Sequence, residues 1–206
     1  MHGRLCQAYM LSFDIETEGL HASKHRITVA SVYDPSRNIQ KTFNFLSSDD
    51  EAEIQSRVDE FLQVLYDAPA LCCFNGVKFD VPFIAERFKV PPARVHGWML
   101  KLFDVFEVCR LVYGSSCSLN NLLLANGKEV KSSSGLQAVE WAREANWESL
   151  EDYCMQDTVL THEISCFEHV ELPLSWKRPF LTAAMRHEYC SETNRHLKLD
   201  FVCEEH

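Results

Sequence analysis

The chain has 206 residues, of which 46% are hydrophobic, so it is long enough to bury a sizeable core and is most simply one domain. Its 20 basic and 30 acidic residues give a net charge of −10, which argues against a protein that holds nucleic acid with a uniformly basic surface. The sequence contains no internal repeat and no apolar run long enough to span a membrane.

The first part of the chain predicts four strands and a helix. An apolar run over residues 8–11 begins a strand, and β-branched and aromatic residues predict two more strands over 27–33 and 40–45. Turn-forming residues between those two strands indicate a hairpin. Apolar residues at helical spacing then predict a helix from about 50 to 66, followed by a short buried strand over 70–74.

The second part predicts a last strand near Leu102 and several helices. The helices are expected over residues 104–113, 118–125, 136–145 and 148–169. Antiparallel strands followed by alternating helices predict an α/β architecture, in which a mixed sheet is covered by helices.

Two short segments place polar side chains on one side of a predicted element. Asp14 and Glu16 lie two apart at the end of the first strand, so alternation points both carboxylates to one face. Tyr153 and Asp157 lie four apart in the last predicted helix, so the phenol and the carboxylate share one side. Taken alone, the first pair also fits a solvated strand edge and the second an ordinary amphipathic helix face.

A third segment, residues 75–83, predicts a turn that leads into a helix whose first turn tolerates Pro82. Asp80 lies at the start of that helix, where an aspartate also serves as a simple helix cap. If the three segments meet in space, four carboxylates and one phenol share a pocket.

Such a pocket would offer the ligands that hard divalent cations prefer. Mg²⁺ and Mn²⁺ prefer oxygen, and Mg²⁺ usually takes only one or two carboxylates, which leaves positions for water and substrate phosphate. We therefore expect two ions. A pair roughly 3.5–4 Å apart can stabilise both the attacking and the leaving oxygen of an in-line displacement at phosphorus. Tyr153 would orient the attacking water or help to deprotonate it.

The three segments together resemble the three motifs of the DEDD superfamily of 3′–5′ exonucleases, in the subclass with a tyrosine four residues before the last aspartate. The sister subclass has a histidine five residues before that aspartate, and here this position holds Asp152. The resemblance spans residues 8–170 and implies a ribonuclease H-like fold, with a mixed five-stranded sheet whose first three strands are antiparallel. Residues 118–122 and 135–139 further resemble a sub-branch of bacterial and viral nucleases.

The resemblance also implies roles for individual residues. Asp14, Glu16 and Asp157 would hold the first metal ion. Asp14 would also touch the second ion, which Asp80 would reach partly through water. The implied catalytic residues are Asp14, Glu16, Asp80, Tyr153 and Asp157. The residues expected to contact substrate are Thr17, Leu20, Asn75 and Phe79.

The activity that the resemblance implies is hydrolysis of the terminal phosphodiester at a single-stranded or frayed 3′ end, with Mg²⁺ or Mn²⁺ as cofactor and nucleoside monophosphates as products. DNA is expected before RNA on the sub-branch resemblance alone. Two alternatives stay open. One is a nucleic-acid-binding or partner-binding module that has lost catalysis, and the other is an exonuclease subunit that works beside a polymerase or helicase, with a replication or repair protein as partner.

Local positive groups are candidates to guide the phosphate backbone into the cleft, although each of them is also typical of a solvated surface charge. These candidates are Lys24, His25, Arg26, Lys78, Arg87, Lys89, Arg94, Lys101, Lys128 and Lys131.

Nine cysteines without a Cys-x-x-Cys motif, and no apolar signal segment before the first strand, predict reduced thiols in an intracellular compartment, the cytoplasm or the nucleus. The tail contains one spacing compatible with a tetrahedral zinc site, although paired Cys and His also arise by chance in a cysteine-rich chain. The residues of this spacing are His187, Cys190, Cys203 and His206.

Residues 1–171 are expected to form the exonuclease domain, and residues 172–206 a C-terminal extension that packs on it or is partly mobile. Pro173 and Pro179 open the extension and break the last helix. Trp176 and its basic neighbours suit a single strand of nucleic acid, but such a tryptophan more often packs a tail against its domain.

Overall fold

Five strands form one mixed sheet: β1 (Met10–Thr17), β2 (Ile27–Asp34), β3 (Ile39–Asn44), β4 (Ala70–Cys73) and β5 (Leu102–Asp104). The computed structural model describes residues 10–113, 117–128, 135–167 and 170–171. The strand order is β3-β2-β1-β4-β5. β1 and β3 are antiparallel to β2, whereas β4 is parallel to β1 and to β5. The predicted α/β fold, with a mixed five-stranded sheet whose first three strands are antiparallel, is therefore confirmed.

Helices cover the sheet and connect its parallel strands. In the part of the chain that the structure describes they are α1 (Glu51–Asp67), α2 (Asp80–Arg87), α3 (Pro92–Leu100), α4 (Val105–Tyr113), α5 (Leu119–Ala125), α6 (Gly135–Arg143) and α7 (Trp147–Ser165). A short 3-10 turn at Pro35–Arg37 joins β2 to β3, as expected for the predicted hairpin. None of the described helices is long and apolar enough to cross a bilayer.

Two helices differ from the prediction. α3 was missed because two prolines and Gly97 interrupt the helical pattern of the sequence. Pro92 in fact occupies the first turn of α3, where its missing N–H costs no hydrogen bond. α7 is shorter than predicted and ends at Ser165, where the N–H of Cys166 bonds back to carbonyls of the last turn.

Alternate residues of β1 belong to two separate hydrophobic clusters, one on each face of the sheet. Leu11, Phe13 and Ile15 pack with residues of α1, α2 and α3. Met10 packs with residues of α4, α5 and α7 on the other face. Even-numbered residues of β1 therefore face the side of the sheet that α7 crosses.

Buried polar contacts fix α7 against the sheet on that side. The Ser31 hydroxyl on β2 donates to the carbonyl of Cys154 (3.0 Å) and lies in hydrogen-bond contact with the Thr158 hydroxyl. The Ser12 hydroxyl on β1 lies 3.0 Å from His162 Nδ1, and the Tyr33 ring stands edge-on to that imidazole. Because buried polar groups lose stability without their partners, these contacts specify how α7 is rotated and where it lies along its axis.

Glu171 is bonded to the end of α5. The Asn126 amide at the end of α5 donates to the carbonyl of Glu171 and accepts its N–H, both at 2.7 Å. Residues 172–206 lie outside the described residues, so the proposed division of the chain at residue 171 stays a prediction.

Leu11→Ala should destabilise the fold strongly, because the Leu11 side chain is fully buried in the central strand. We expect a loss of about 2–5 kcal/mol in the free energy of unfolding, measured by urea denaturation. Leu124→Ala on α5 is the matched control, since 57% of Leu124 is exposed, and it should change the same quantity by about 0.5 kcal/mol or less. Equal losses in the two variants would contradict this assignment of the core.

Candidate metal centre

β1 presents two carboxylates to the face crossed by α7. Phe13 and Ile15 are buried in the cluster on the opposite face, so Asp14 and Glu16 point away from it, as alternation requires. Cys154 on α7 lies directly against this face, with its Sγ 3.8 Å from Asp14 Oδ2. The strand therefore places both predicted ligands under α7.

α7 brings a third carboxylate and the phenol to the same place. Oxygen atoms of Asp14, Glu16 and Asp157 all lie within 4.8 Å of one another. The Tyr153 hydroxyl donates a hydrogen bond to the Asp157 carboxylate. The Tyr153 ring stands edge-on to Trp141 of α6, with 6.0 Å between ring centroids. The structure thus brings four of the five predicted catalytic residues together in one group.

Asp80 joins this group from the start of α2. Its side chain is buried, and its Oδ1 accepts the N–H of Ile15 at 3.2 Å, so the carboxylate lies against β1 between the two acidic positions of that strand. The negative charge of Asp80 repels those of Asp14 and Glu16 and so raises the pKa of both. Phe79, not Asp80, occupies the N-cap position of α2, and the Asp80 carboxylate instead binds the backbone of β1.

The four carboxylates oppose one another's ionisation. Burial is the largest cause, and it raises the pKa of Glu16 to about 8, of Asp80 to about 7 and of Asp157 to about 6. Burial also raises the pKa of Asp14 well above its usual value, and repulsion from the other three carboxylates adds to this. Asp14, Glu16 and Asp157 are nevertheless partly exposed, so the group is open to an ion from solvent.

Asp104 anchors the loop that carries Asp80, and it was not among the predicted site residues. Its carboxylate is fully buried at the end of β5 and accepts the N–H groups of Asn75 (2.8 Å) and Val77 (2.9 Å). It also accepts the N–H groups of Phe106 and Glu107 and so caps α4. An aspartate between a strand and a helix is the sequence signal of such a cap, but the sequence gives no sign of the bonds to residues 75–77.

Close packing fixes the conformation of the same loop. Asn75 has a left-handed backbone (φ 64°), which asparagine tolerates better than most residues. A Cβ on Gly76 would clash with the Sγ and the Cβ of the buried Cys73, so only glycine fits there. The loop that leads to Asp80 is therefore tightly held.

The predicted substrate contacts lie in three different environments. The Thr17 hydroxyl is mostly buried and donates to the carbonyl of Gly19 (2.9 Å). Leu20 is 78% exposed beyond the end of β1. Asn75 and Phe79 are only partly exposed, and the Phe79 ring contacts Phe83. Of these residues, Leu20 offers the largest free apolar surface.

Several of the basic candidates are already paired with acidic residues. Arg26 binds Glu18, Lys128 binds Glu163 and Lys78 binds Glu107. Lys131 lies outside the described residues, as does the predicted zinc spacing at His187, Cys190, Cys203 and His206.

The donor set fits a hard divalent cation. Asp14, Glu16 and Asp157 offer carboxylate oxygens, which are the atoms that Mg²⁺ and Mn²⁺ prefer. The repulsion that raises the pKa of these groups is the repulsion that a bound cation would offset. These three residues, with Asp80 beside them, are the groups of the described chain that could hold such an ion.

Comparisons with known proteins agree with this architecture. A family model described as the RNase_H superfamily matches residues 11–166. Among solved structures, the family B DNA polymerase from the hyperthermophilic archaeon Pyrobaculum calidifontis is similar, with a TM-score of 0.57 and 20% sequence identity. The match covers 74% of this chain but only 23% of the polymerase, and at this identity it supports the fold alone. No curated protein matches the chain.

The metal-free protein should become less stable as the pH rises, because the grouped carboxyl groups then lose their protons. A carboxyl whose pKa is raised by folding binds its proton more tightly in the folded chain. Its contribution to stability is therefore full below its unfolded value, 4.5 for Glu16, and is lost as the pH rises through about 8. In EDTA, we therefore expect the free energy of unfolding of Glu16→Gln, relative to that of wild type, to increase by on the order of 2 kcal/mol as the pH is raised from 5 to 8.

The control is Asp152→Asn, which removes an exposed carboxylate from the same helix. Urea denaturation at each pH gives the free energy of unfolding of all three proteins. Mn²⁺ should also raise the melting temperature of wild type more at pH 8 than at pH 5, and should do so less for Glu16→Gln. A difference between Glu16→Gln and wild type that stays constant across this pH range would contradict the described electrostatics.

Proposed function

The chain belongs to the RNase_H superfamily, and we propose that it is a metal-dependent 3′–5′ exonuclease. Its substrate would be the 3′ end of a single-stranded or frayed nucleic acid, from which it would release nucleoside monophosphates. The tyrosine branch of the DEDD exonucleases fits best, because Tyr153 lies four residues before Asp157 and the position five before it holds Asp152.

One observation carries the proposal. Three segments far apart in sequence contribute to a single acidic pocket, in which Asp14, Glu16 and Asp157 lie within 4.8 Å of one another and Asp80 binds the intervening backbone of β1. Structural ion pairs would explain one or two such carboxylates, but these four form no salt bridge with a basic residue in the part of the chain that the structure describes, which is typical of a cation site.

The residues of the chain divide the task between them. Asp14, Glu16 and Asp157 would hold one divalent ion, and Asp14 and Asp80 would hold a second. Divalent ions in such a site supply positive charge to the phosphate oxygens and make a water molecule more acidic. The Tyr153 hydroxyl, already a hydrogen-bond donor to Asp157, would orient the attacking water.

DNA is the favoured substrate class, on the motif resemblance alone, and RNA follows closely. Base identity should matter little, because contacts to the backbone and stacking on side chains carry no strong sequence code. A polymerase or helicase is a further proposed partner, because a chain of this size could act as the exonuclease subunit of a larger complex.

Loss of catalysis with retention of binding is the competing function. It usually leaves at least one ligand position without its carboxylate. Here all four carboxylates are present and grouped, which favours an active enzyme.

Wild-type protein with Mn²⁺ should shorten a 5′-labelled oligonucleotide stepwise from its 3′ end, as seen on a denaturing gel. Asp14→Ala should abolish this activity, because it removes the carboxylate common to both proposed ions. Asp152→Ala, which removes an exposed carboxylate of α7, should retain it. A wild type that is inert on both DNA and RNA would contradict the proposal and favour the binding module.

Tyr153→Phe should lower kcat by about 10²-fold while Mn²⁺ affinity, measured by calorimetry, stays close to that of wild type. The change removes only the hydroxyl that donates to Asp157. Tyr66→Phe at the exposed end of α1 is the control and should keep wild-type kcat. Equal turnover of Tyr153→Phe and wild type would remove Tyr153 from its assigned role.

A further inference from the structure

An aromatic ring and an ammonium group lie together at the start of α4, outside the acidic pocket. Lys78 Nζ lies 5.5 Å from the centroid of the Phe106 ring, and 54% of the Lys78 side chain is exposed. Phe106 is partly exposed and, unlike its neighbour Phe74, belongs to none of the hydrophobic clusters of the described residues. The core therefore does not account for this phenylalanine.

Asp104 joins the two backbone segments that carry the ring and the cation. Its Oδ1 accepts the N–H groups of both Asn75 (2.8 Å) and Phe106 (3.0 Å), so the loop and the first turn of α4 meet at one oxygen atom. Lys78 lies in the same loop, two residues before Asp80. The pair is thus built onto the segment that carries one of the four carboxylates.

Neighbouring groups hold Lys78 and Phe106 in this arrangement. Lys78 Nζ lies 2.7 Å from Glu107 Oε1, and the other oxygen of Glu107 binds Arg110 at 2.6 Å. Both cations lower the pKa of Glu107, so this carboxylate is ionised at neutral pH. The Phe106 ring packs against Phe74 with 5.6 Å between centroids. A cation beside a partly exposed aromatic ring suits single-stranded nucleic acid, since a ring can stack on a base and a cation can contact a phosphate.

We infer that Lys78 and Phe106 form a contact for a nucleotide upstream of the one that is removed. This inference rests on the proposed exonuclease function. Lys78 would exchange Glu107 for a phosphodiester oxygen, and Phe106 would stack on a base. Neither contact reads the base or the sugar, so the same site would serve DNA and RNA.

Lys41 provides a matched comparison elsewhere on the surface. It also pairs with a glutamate, Glu60, and lies 5.0 Å from a phenyl centroid, that of Phe43. However, Phe43 is a core residue with 2% exposure, and it packs in the cluster on the face of the sheet opposite Asp14 and Glu16, the face that Lys41 shares by strand alternation. Lys41 therefore has no ring on which a base could stack and lies away from the acidic pocket.

The test measures binding of a fluorescent oligo(dT) of about 10 nucleotides by anisotropy, with Asp14→Asn in every protein to prevent cleavage. Adding Lys78→Gln should weaken binding and reduce the slope of log Kd against log salt concentration by about 0.7, the value for one phosphate contact to a single strand. Phe106→Leu should raise Kd about tenfold, within the range for one stacked base. Lys41→Gln should leave both the affinity and the slope at their reference values.

Kinetics with otherwise wild-type protein separate this inference from the proposed function. In Lys78→Gln and in Phe106→Leu, KM should rise more for a long oligonucleotide than for a dinucleotide, which is too short to reach the upstream contact. If the wild type cleaves normally and both variants behave like Lys41→Gln, only the upstream contact is overturned. A wild type that neither binds nor cleaves an oligonucleotide would overturn both proposals.

Discussion

Repulsion among four closely grouped carboxylates, one buried and three partly exposed, is the constraint on which the rest of this structure depends. Each group loses hydration, and each feels the charge of its neighbours, so together they favour the protonated state or a bound cation. Natural folds retain such an arrangement where it serves a function, because replacement by neutral residues would remove the cost. A divalent ion would offset this repulsion and bind tightly, because all four negative charges attract it.

The fold holds these groups by regular elements and by a tightly bonded loop. β1 fixes two carboxylates by alternation, and α7 is set against the sheet by the buried contacts of Ser31 and of His162. Both oxygen atoms of the Asp104 carboxylate accept backbone N–H groups, and these bonds hold the loop before Asp80 and the start of α4. Site residues that would repel one another are thus kept in place largely by contacts of the surrounding elements, to which Asp80 adds its own bond to the backbone of Ile15.

Local geometry was predictable from the sequence, and long-range geometry was not. The pairs Asp14/Glu16 and Tyr153/Asp157 depend only on strand and helix periodicity, so their orientation followed from spacing. The bond from Asp80 to the backbone of Ile15 joins residues 65 positions apart, and only resemblance to a family suggested that these segments meet. The loop contacts of Asp104 were missed because they involve backbone groups, which leave no pattern in the side chains. α3 was missed for another reason. Prolines usually indicate the end of a helix, and here they lie at its start.

Anomalous diffraction from crystals soaked in Mn²⁺ would show whether the acidic pocket holds two divalent ions. We expect two anomalous peaks roughly 3.5–4 Å apart, both within ligand distance of Asp14, with Glu16 and Asp157 around one of them and Asp80 facing the other. No peak in this pocket at saturating Mn²⁺, or peaks only elsewhere on the protein, would contradict this expectation.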